Sequence, residues 1–153
     1  MTASPYAQVD SSYAVMDWLN SLSDLKTKLT SKGRVAIFMD LPPAAFADGK
    51  GQLLPVLAFY QVSGGVVGAD FTMQQARISF DIFAKIRFQC ADIKDCLISN
   101  IENLGPSGGF SSAKGAIKDA RTINVSYRRE PGLEPDNMIF RFIVDSYFYV
   151  VTA

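Results

Sequence analysis

The sequence predicts an α+β fold: a single two-layer domain in which two helices pack on one mostly antiparallel or mixed sheet of about five strands. Three observations carry this. From Ala76 to Leu104 an alternating run gives way to helical spacing within one continuous segment. Near the C-terminus, two further alternating runs, Arg121 to Arg128 and Ile139 to Val151, flank a Pro-Gly and Pro-Asp-Asn turn sequence. The 153 residues are 48% hydrophobic and 20% charged, enough apolar material for one sizeable core and too much for disorder.

Taken in order, residues 1–11 read as an extended N-terminal arm, polar or small with one Pro, and residues 12–153 as the domain. Ser11 or Ser12 can cap a helix over Tyr13 to Leu29, where Val15, Trp18, Leu19, Leu22, Leu25 and Leu29 recur on one face. Gly33 ends it. Arg34 to Asp40 then has the β-branched and aromatic bias of a short strand. The Pro- and Gly-bearing stretch Leu41 to Gln52 reads as a surface loop, and Leu54 to Val62, apolar almost throughout, as an interior strand with Pro55 at its beginning. Ser63 to Gln75 combines three glycines with Val66, Val67, Phe71 and Met73; it reads as a flexible hairpin tip whose apolar residues find their partner on another chain.

The central segment follows. Ile78, Phe80 and Ile82 face one way, opposite Arg77, Ser79 and Asp81, and Ile93, Cys96, Leu97, Ile101 and Leu104 then keep helical spacing until Gly105-Pro106 stops the helix. Each of these two elements has one apolar face that the other can cover. Gly105 to Ala120 reads as a mobile Gly- and Ser-rich connection. The last two strands form a hairpin, one with Ile123, Val125 and Tyr127 on a face, the other with Phe140, Phe142, Val144, Phe148 and Val150.

Composition restricts the chemistry. There is no histidine, which removes the commonest general base and metal ligand. Fifteen basic and fifteen acidic residues balance, so no overall field draws the chain to nucleic acid or anionic membrane. Cys90 and Cys96, six residues apart on a helix, have Cα atoms separated by roughly 9 Å, beyond the reach of a disulfide. They fit reduced thiols, Cys96 as a core residue and Cys90 near the helix start. No signal peptide or bilayer-spanning segment is recognisable, so the expected place of synthesis is cytoplasm.

Apparent motifs give little more. Gly105-Pro106-Ser107-Gly108-Gly109 spells a hydrolase nucleophile elbow, but a helix precedes it, where an elbow needs a strand, and no histidine exists to take the proton. Asn124-Val125-Ser126 spells a glycosylation sequon inside a strand. Asp92 with Asp95, or Glu134 with Asp136, are too sparse for a cation loop. Lys114, Lys118, Arg128 and Arg129, with Arg121 and Arg141 nearby, form a candidate basic patch without the interleaved aromatics that stack bases. The expectation is therefore no catalytic residue, no cofactor and no bound metal.

The element order and several phrases resemble the tail terminator, or tail-completion, proteins of long-tailed bacteriophages. The resemblance covers roughly Tyr13 to Val150 and rests on the N-terminal helix, DLPPAAF, LPVLAFYQV, the glycine-containing gap, ARISFDIFAKIRFQCADIKDCLISNIENL and the aromatic-rich FRFIVDSYFYV. It implies a non-enzymatic ring, usually a hexamer, that caps the tail tube, stops its polymerisation and joins tail to head. The implied partners are the tail tube protein and a connector or neck protein, with DNA passing through the lumen without sequence-specific binding and no membrane. The implied location is the tail-neck junction of the virion, with host cytoplasm during assembly. A head-to-tail connector or neck protein is the nearest alternative; a monomeric ligand- or nucleic-acid-binding α+β module is a more distant one.

Overall fold

The computed structural model describes residues 11–31, 33–40, 55–67, 73–131 and 138–151. The elements run α1 (Ser11–Ser21), α2 (Ser23–Leu29), β1 (Thr30–Ser31), β2 (Arg34–Val35), β3 (Ile37–Met39), β4 (Val56–Val67), β5 (Met73–Ala84), α3 (Arg87–Leu104), β6 (Phe110–Ser112), β7 (Gly115–Pro131) and β8 (Met138–Val151). One sheet has six strands in the order β3-β4-β5-β8-β7-β6; β1 and β2 form a small separate hairpin turned by Gly33 at φ 76°. Only the β3-β4 pair is parallel, so the sheet is mixed. The α+β class stands, with six strands in the main sheet where about five were expected and three helices where two were.

The extra helix comes from a break at Leu22, which adopts φ −88° and ψ 94° between α1 and α2. Its N–H donates to the Leu19 carbonyl at 3.1 Å, and its own carbonyl accepts from Lys26 N–H at 3.0 Å, so both sides of the break are satisfied. The leucine spacing runs on across the break, because Leu19, Leu25 and Leu29 are all fully buried. Polar contacts tie α2 to α3: Lys28 Nζ lies 2.7 Å from Asp92 Oδ2, and the Asn100 amide donates to Asp24 Oδ2 at 3.2 Å.

β5 is the middle of the sheet in fact as in sequence. It pairs along its whole length with β8 and with β4 on its other side, and its residues Ile78 to Ala84 are buried on both faces. On the helix-covered face, Ile78, Phe80 and Ile82 share one core with Ile93, Leu97 and Ile101 of α3 and with Val15, Trp18 and Leu19 of α1. Trp18, Phe148, Phe80 and Phe59 form a run of ring contacts with centroids 5.4 to 5.9 Å apart. On the other face, Ala36, Val56 and Phe83 make a small second cluster, beside an Arg141–Asp81 ion pair at 3.0 Å and Arg77–Asp145 at 3.7 Å between β5 and β8.

Several local expectations are corrected. Gly64 and Gly65 do not end β4: they pair with Ala76 and Gln75, and β4 continues to Val67 opposite Met73. Pairing on one side is enough to hold glycine extended. Gly105 to Ala120 is not merely a connection, since it contains β6 and the start of β7. Gly109, at φ 84°, makes the turn possible, because a Cβ there would collide with the Ile117 carbonyl. β7 carries irregularities between Ile117 and Asp119 and between Thr122 and Asn124. The second one moves Thr122, opposite Ser146, onto the same sheet face as Val125, opposite Val144, so the plain alternation expected there fails.

Candidate assembly surface

The groups that would carry chemistry are tied into the fold. The Cys90 thiol is fully buried, 3.3 Å from the Ile82 carbonyl and 3.4 Å from that of Phe140, and burial pushes its pKa up to about 11. Cys96, at 3.5 Å from Asp24 Oδ2, is likewise raised to about 11, by burial first and then by the neighbouring carboxylate. Both are thiols, not thiolates, at neutral pH. Cys90, near the start of α3 as expected, is the fully buried cysteine, whereas Cys96, expected in the core, is only partly buried, because it sits on the flank of α3 that faces α2. Asp24 itself is lowered: burial alone would raise it, but hydrogen bonds from Asn100, the Leu25 N–H and Cys96 outweigh that. Asp92 and Asp95 are each ion-paired, with Lys28 and with Lys94. Ser107 of the elbow-like sequence donates its hydroxyl to the Leu104 carbonyl at 3.0 Å as part of the α3 exit. Among the described residues no group of three or more metal-ligating side chains comes together, and no helix is long and apolar enough to cross a membrane.

What is left open is backbone. β3 covers β4 only at Leu57 to Phe59, so among the described residues no strand lies beside β4 from Tyr60 to Val67 on its outer side. β6 covers β7 only at Gly115 to Ile117, so β7 from Lys118 to Pro131 is open in the same way. One donor on that edge is already used: Thr122 N–H donates to the Glu102 carboxylate of α3 at 2.8 Å. Open edges of this length are templates for pairing with another chain. They also carry exposed apolar side chains. Tyr60 and Val62 on β4 are 40% and 48% exposed; Ile123 and Val125 on β7 are 45% and 41%. A second exposed apolar group, Ile86 and Phe88, lies where β5 passes into α3.

The residues singled out in the sequence fall as follows. Val66 and Val67 are the last residues of β4, Met73 is the first of β5 and half-buried, and Phe71 lies outside the described residues. Lys118, Arg128 and Arg129 are exposed along β7, with Lys114 just before it. Lys118 and Arg128 are ten residues apart, roughly 33 Å along a strand, so the basic residues make a line on an edge and not a compact patch. Lys114 Nζ stands 5.8 Å from the Tyr13 ring centroid. The N-terminal arm, the Leu41 to Gln52 loop, Glu134 and Asp136 lie outside the described residues, whereas Ser11 is the buried first residue of α1. The open edges were missed in sequence because edge status is set by strand order, which no local pattern states.

Neither a protein-family model nor a curated protein matches this sequence. Among solved structures, the fold is shared with a chain in a structure described as a virion of native gene transfer agent (GTA) particle. The two superpose with a TM-score of 0.58 at 14% sequence identity, over 92% of this chain and 93% of that one. At this identity the likeness is one of fold.

Proposed function

We propose that this chain is a non-enzymatic structural virion protein, a tail terminator whose copies form a ring, a hexamer by the family resemblance. The ring caps the tail tube, stops its polymerisation and joins tail to head or neck. The observation that carries this reading is the fold likeness, nearly end to end in both chains, to a chain of a virion particle. It is supported by a sheet whose two edges are open over most of their length among the described residues, with exposed apolar residues on both, the form a subunit needs if neighbours complete it. In this reading the partners are further copies of the chain, the tail tube protein and a connector or neck protein, with DNA passing through the lumen. Val66 and Val67 at the end of β4, Met73 at the start of β5, and Phe71 between them in sequence contribute an intermolecular contact.

The test is to mix purified chain with growing tail tubes and follow tube length and end structure by electron microscopy. Rings at one tube end and an end to growth are the expected result. A chain that binds head connectors and ignores tubes reassigns it to the neck; one that binds neither, under conditions where tubes assemble, refutes the virion role.

A further inference from the structure

The two sides of the sheet have complementary outlines. Call the end of the sheet holding Val56, Ala84 and Phe140 the upper end, and that holding Val67, Met73 and Val151 the lower. Among the described residues, the sheet on the β4 side projects by one strand at the upper end, where β3 sits on Leu57 to Phe59, and is recessed below. On the β7 side, again among the described residues, it is recessed at the upper end and projects below, where β6 sits on Gly115 to Ile117. A step on one flank thus matches a step on the other. The strand directions agree as well: β3, β4 and β6 run downward and β7 runs upward.

We infer that copies of this chain join head to tail through a stepped seam, in which β3 of one copy pairs antiparallel with β7 of the next, and β4 of the first pairs parallel with the next copy's β6. The inference deepens the ring reading above and rests on it for the biological setting. Register across the sheet gives the rows. Met39, Phe59, Phe80, Val144 and Val125 share one row, and Ile37, Leu57, Ile82, Phe142 and Tyr127 another. With copies side by side at one level, Met39 therefore meets the next copy's Val125, and Ile37 meets its Tyr127. At the lower end Val66, Gln74, Val150, Ile117 and Phe110 share a row, so β6 enters the recess opposite Val66.

A further feature favours a second copy as the occupant. Val125 is the residue that Met39 of the neighbouring copy meets, and the exposed Tyr60 and Val62 on one edge and Ile123 on the other line the stretch between that pairing and the one at β6, so one seam encloses both sets. The joint is also heterologous: it repeats without turning the sheet over, leaves the helices of every copy on the same side, and closes into a ring when the rotation per copy allows.

The test uses two variants of the full chain. Ile123→Lys with Val125→Lys disables the β7 edge; Tyr60→Lys with Val62→Lys disables the β4 edge. All four side chains are at least 40% exposed, so each variant should melt as the parent does. In sedimentation the parent forms assemblies larger than a dimer, each variant alone is a monomer, and an equal mixture gives a heterodimer and nothing larger, since one intact edge of each kind remains. The seam is overturned if either variant alone self-associates, if the mixture stays monomeric, or if the parent is monomeric up to concentrations on the order of 1 mM. The tail-end role is read separately. A parent ring that forms through this seam but adds to no tube keeps the seam and removes the role; a β7-edge variant that still ends tubes at normal length does the reverse.

Discussion

The middle of the sheet and its flanks are built from similar residues and do different things. Phe80 in β5 and Val125 in β7 lie in the same row, on the same face, two strands apart. Phe80 is fully buried between Phe59 and Phe148; Val125 is 41% exposed. The difference is not in side-chain character or local alternation. It lies in what surrounds the strand: β5 has β4 and β8 beside it and shares a core with α1 and α3 at Phe80, whereas among the described residues β7 over Val125 has only β8 beside it. Burial in this chain therefore depends on strand order together with the helix layer, and flanks that look like core in sequence become surfaces in the single subunit.

The largest effect that tests this contrast is on stability. Phe80→Ala should cost about 3–5 kcal/mol and Leu97→Ala about 2–5 kcal/mol, since both truncations open cavities in the shared core of sheet and α3. Ile123→Ala should stay within about 0.5 kcal/mol, the range of exposed sites. Denaturant unfolding measures all three. A Leu97→Ala loss below about half a kcal/mol would mean that α3 turns a different face to the sheet.

A second effect is confined to alkaline pH. The Cys90 thiol is neutral when protonated, and its folded-state pKa of about 11 exceeds the 9.0 of an unperturbed thiol, so unfolding releases a proton between those values. Stability from this group is complete below pH 9 and is lost as pH rises to 11, by roughly 2–3 kcal/mol if the full shift is realised. Comparing parent with Cys90→Ala isolates it from the lysines and tyrosines that titrate in the same range. Equal slopes for the two proteins would show that Cys90 is not held as the buried geometry has it. In native protein the same burial should protect Cys90 from thiol reagents, with Cys96 reacting first.

A smaller effect lies at the boundary between core and flank. Glu102 spans from α3 to the β7 edge and accepts the Thr122 N–H, beside the second irregularity of that strand. Glu102→Ala should cost about 1 kcal/mol, the worth of one partly exposed hydrogen bond. Amide exchange should quicken at Thr122 and leave Val144 unchanged. Uniform quickening along β7 and β8 would mean that the carboxylate supports the whole hairpin and not one edge site.

The central segment and the final hairpin were legible in the sequence because each repeats its period several times. Ile78, Phe80 and Ile82 opposite Ile93, Leu97 and Ile101 could be paired from spacing alone, and so could Phe140 to Val150 as one face. What escaped were features set by single residues or distant pairing. Leu22 keeps its place in the leucine pattern while its backbone leaves the helix. Phe110 to Ser112 is a strand only because Gly115 to Ile117 lies beside it, in a stretch whose glycines and serines say loop. One extra residue near Ile123 reverses the faces of its neighbours. The candidate contact at Val66, Val67, Phe71 and Met73 was legible as apolar residues in a glycine-rich segment; that Val66 and Val67 end a strand with one open side among the described residues, whereas Met73 begins a strand paired on both, was not.

That contact gives the smallest expected change in stability and the sharpest division between flank and tip. Val67 ends β4, one row beyond Val66, at the level where β6 of a neighbouring copy would enter; Phe71 lies outside the described residues. Changing both to Ser should leave unfolding within about 0.5 kcal/mol of the parent if they are exposed in the free subunit, yet prevent ring formation or tube capping, because apolar anchors carry much of the energy of an interface. The single variants separate two uses of the segment. If neighbouring copies meet along the flank, Val67→Ser weakens self-association and Phe71→Ser does not. If the tip reaches the tube or the neck instead, Phe71→Ser leaves rings intact and leaves tails of abnormal length or without heads. A double variant that unfolds shows a tip folded back on its own sheet, and one that assembles normally moves the contact to the N-terminal arm or to the residues around β6.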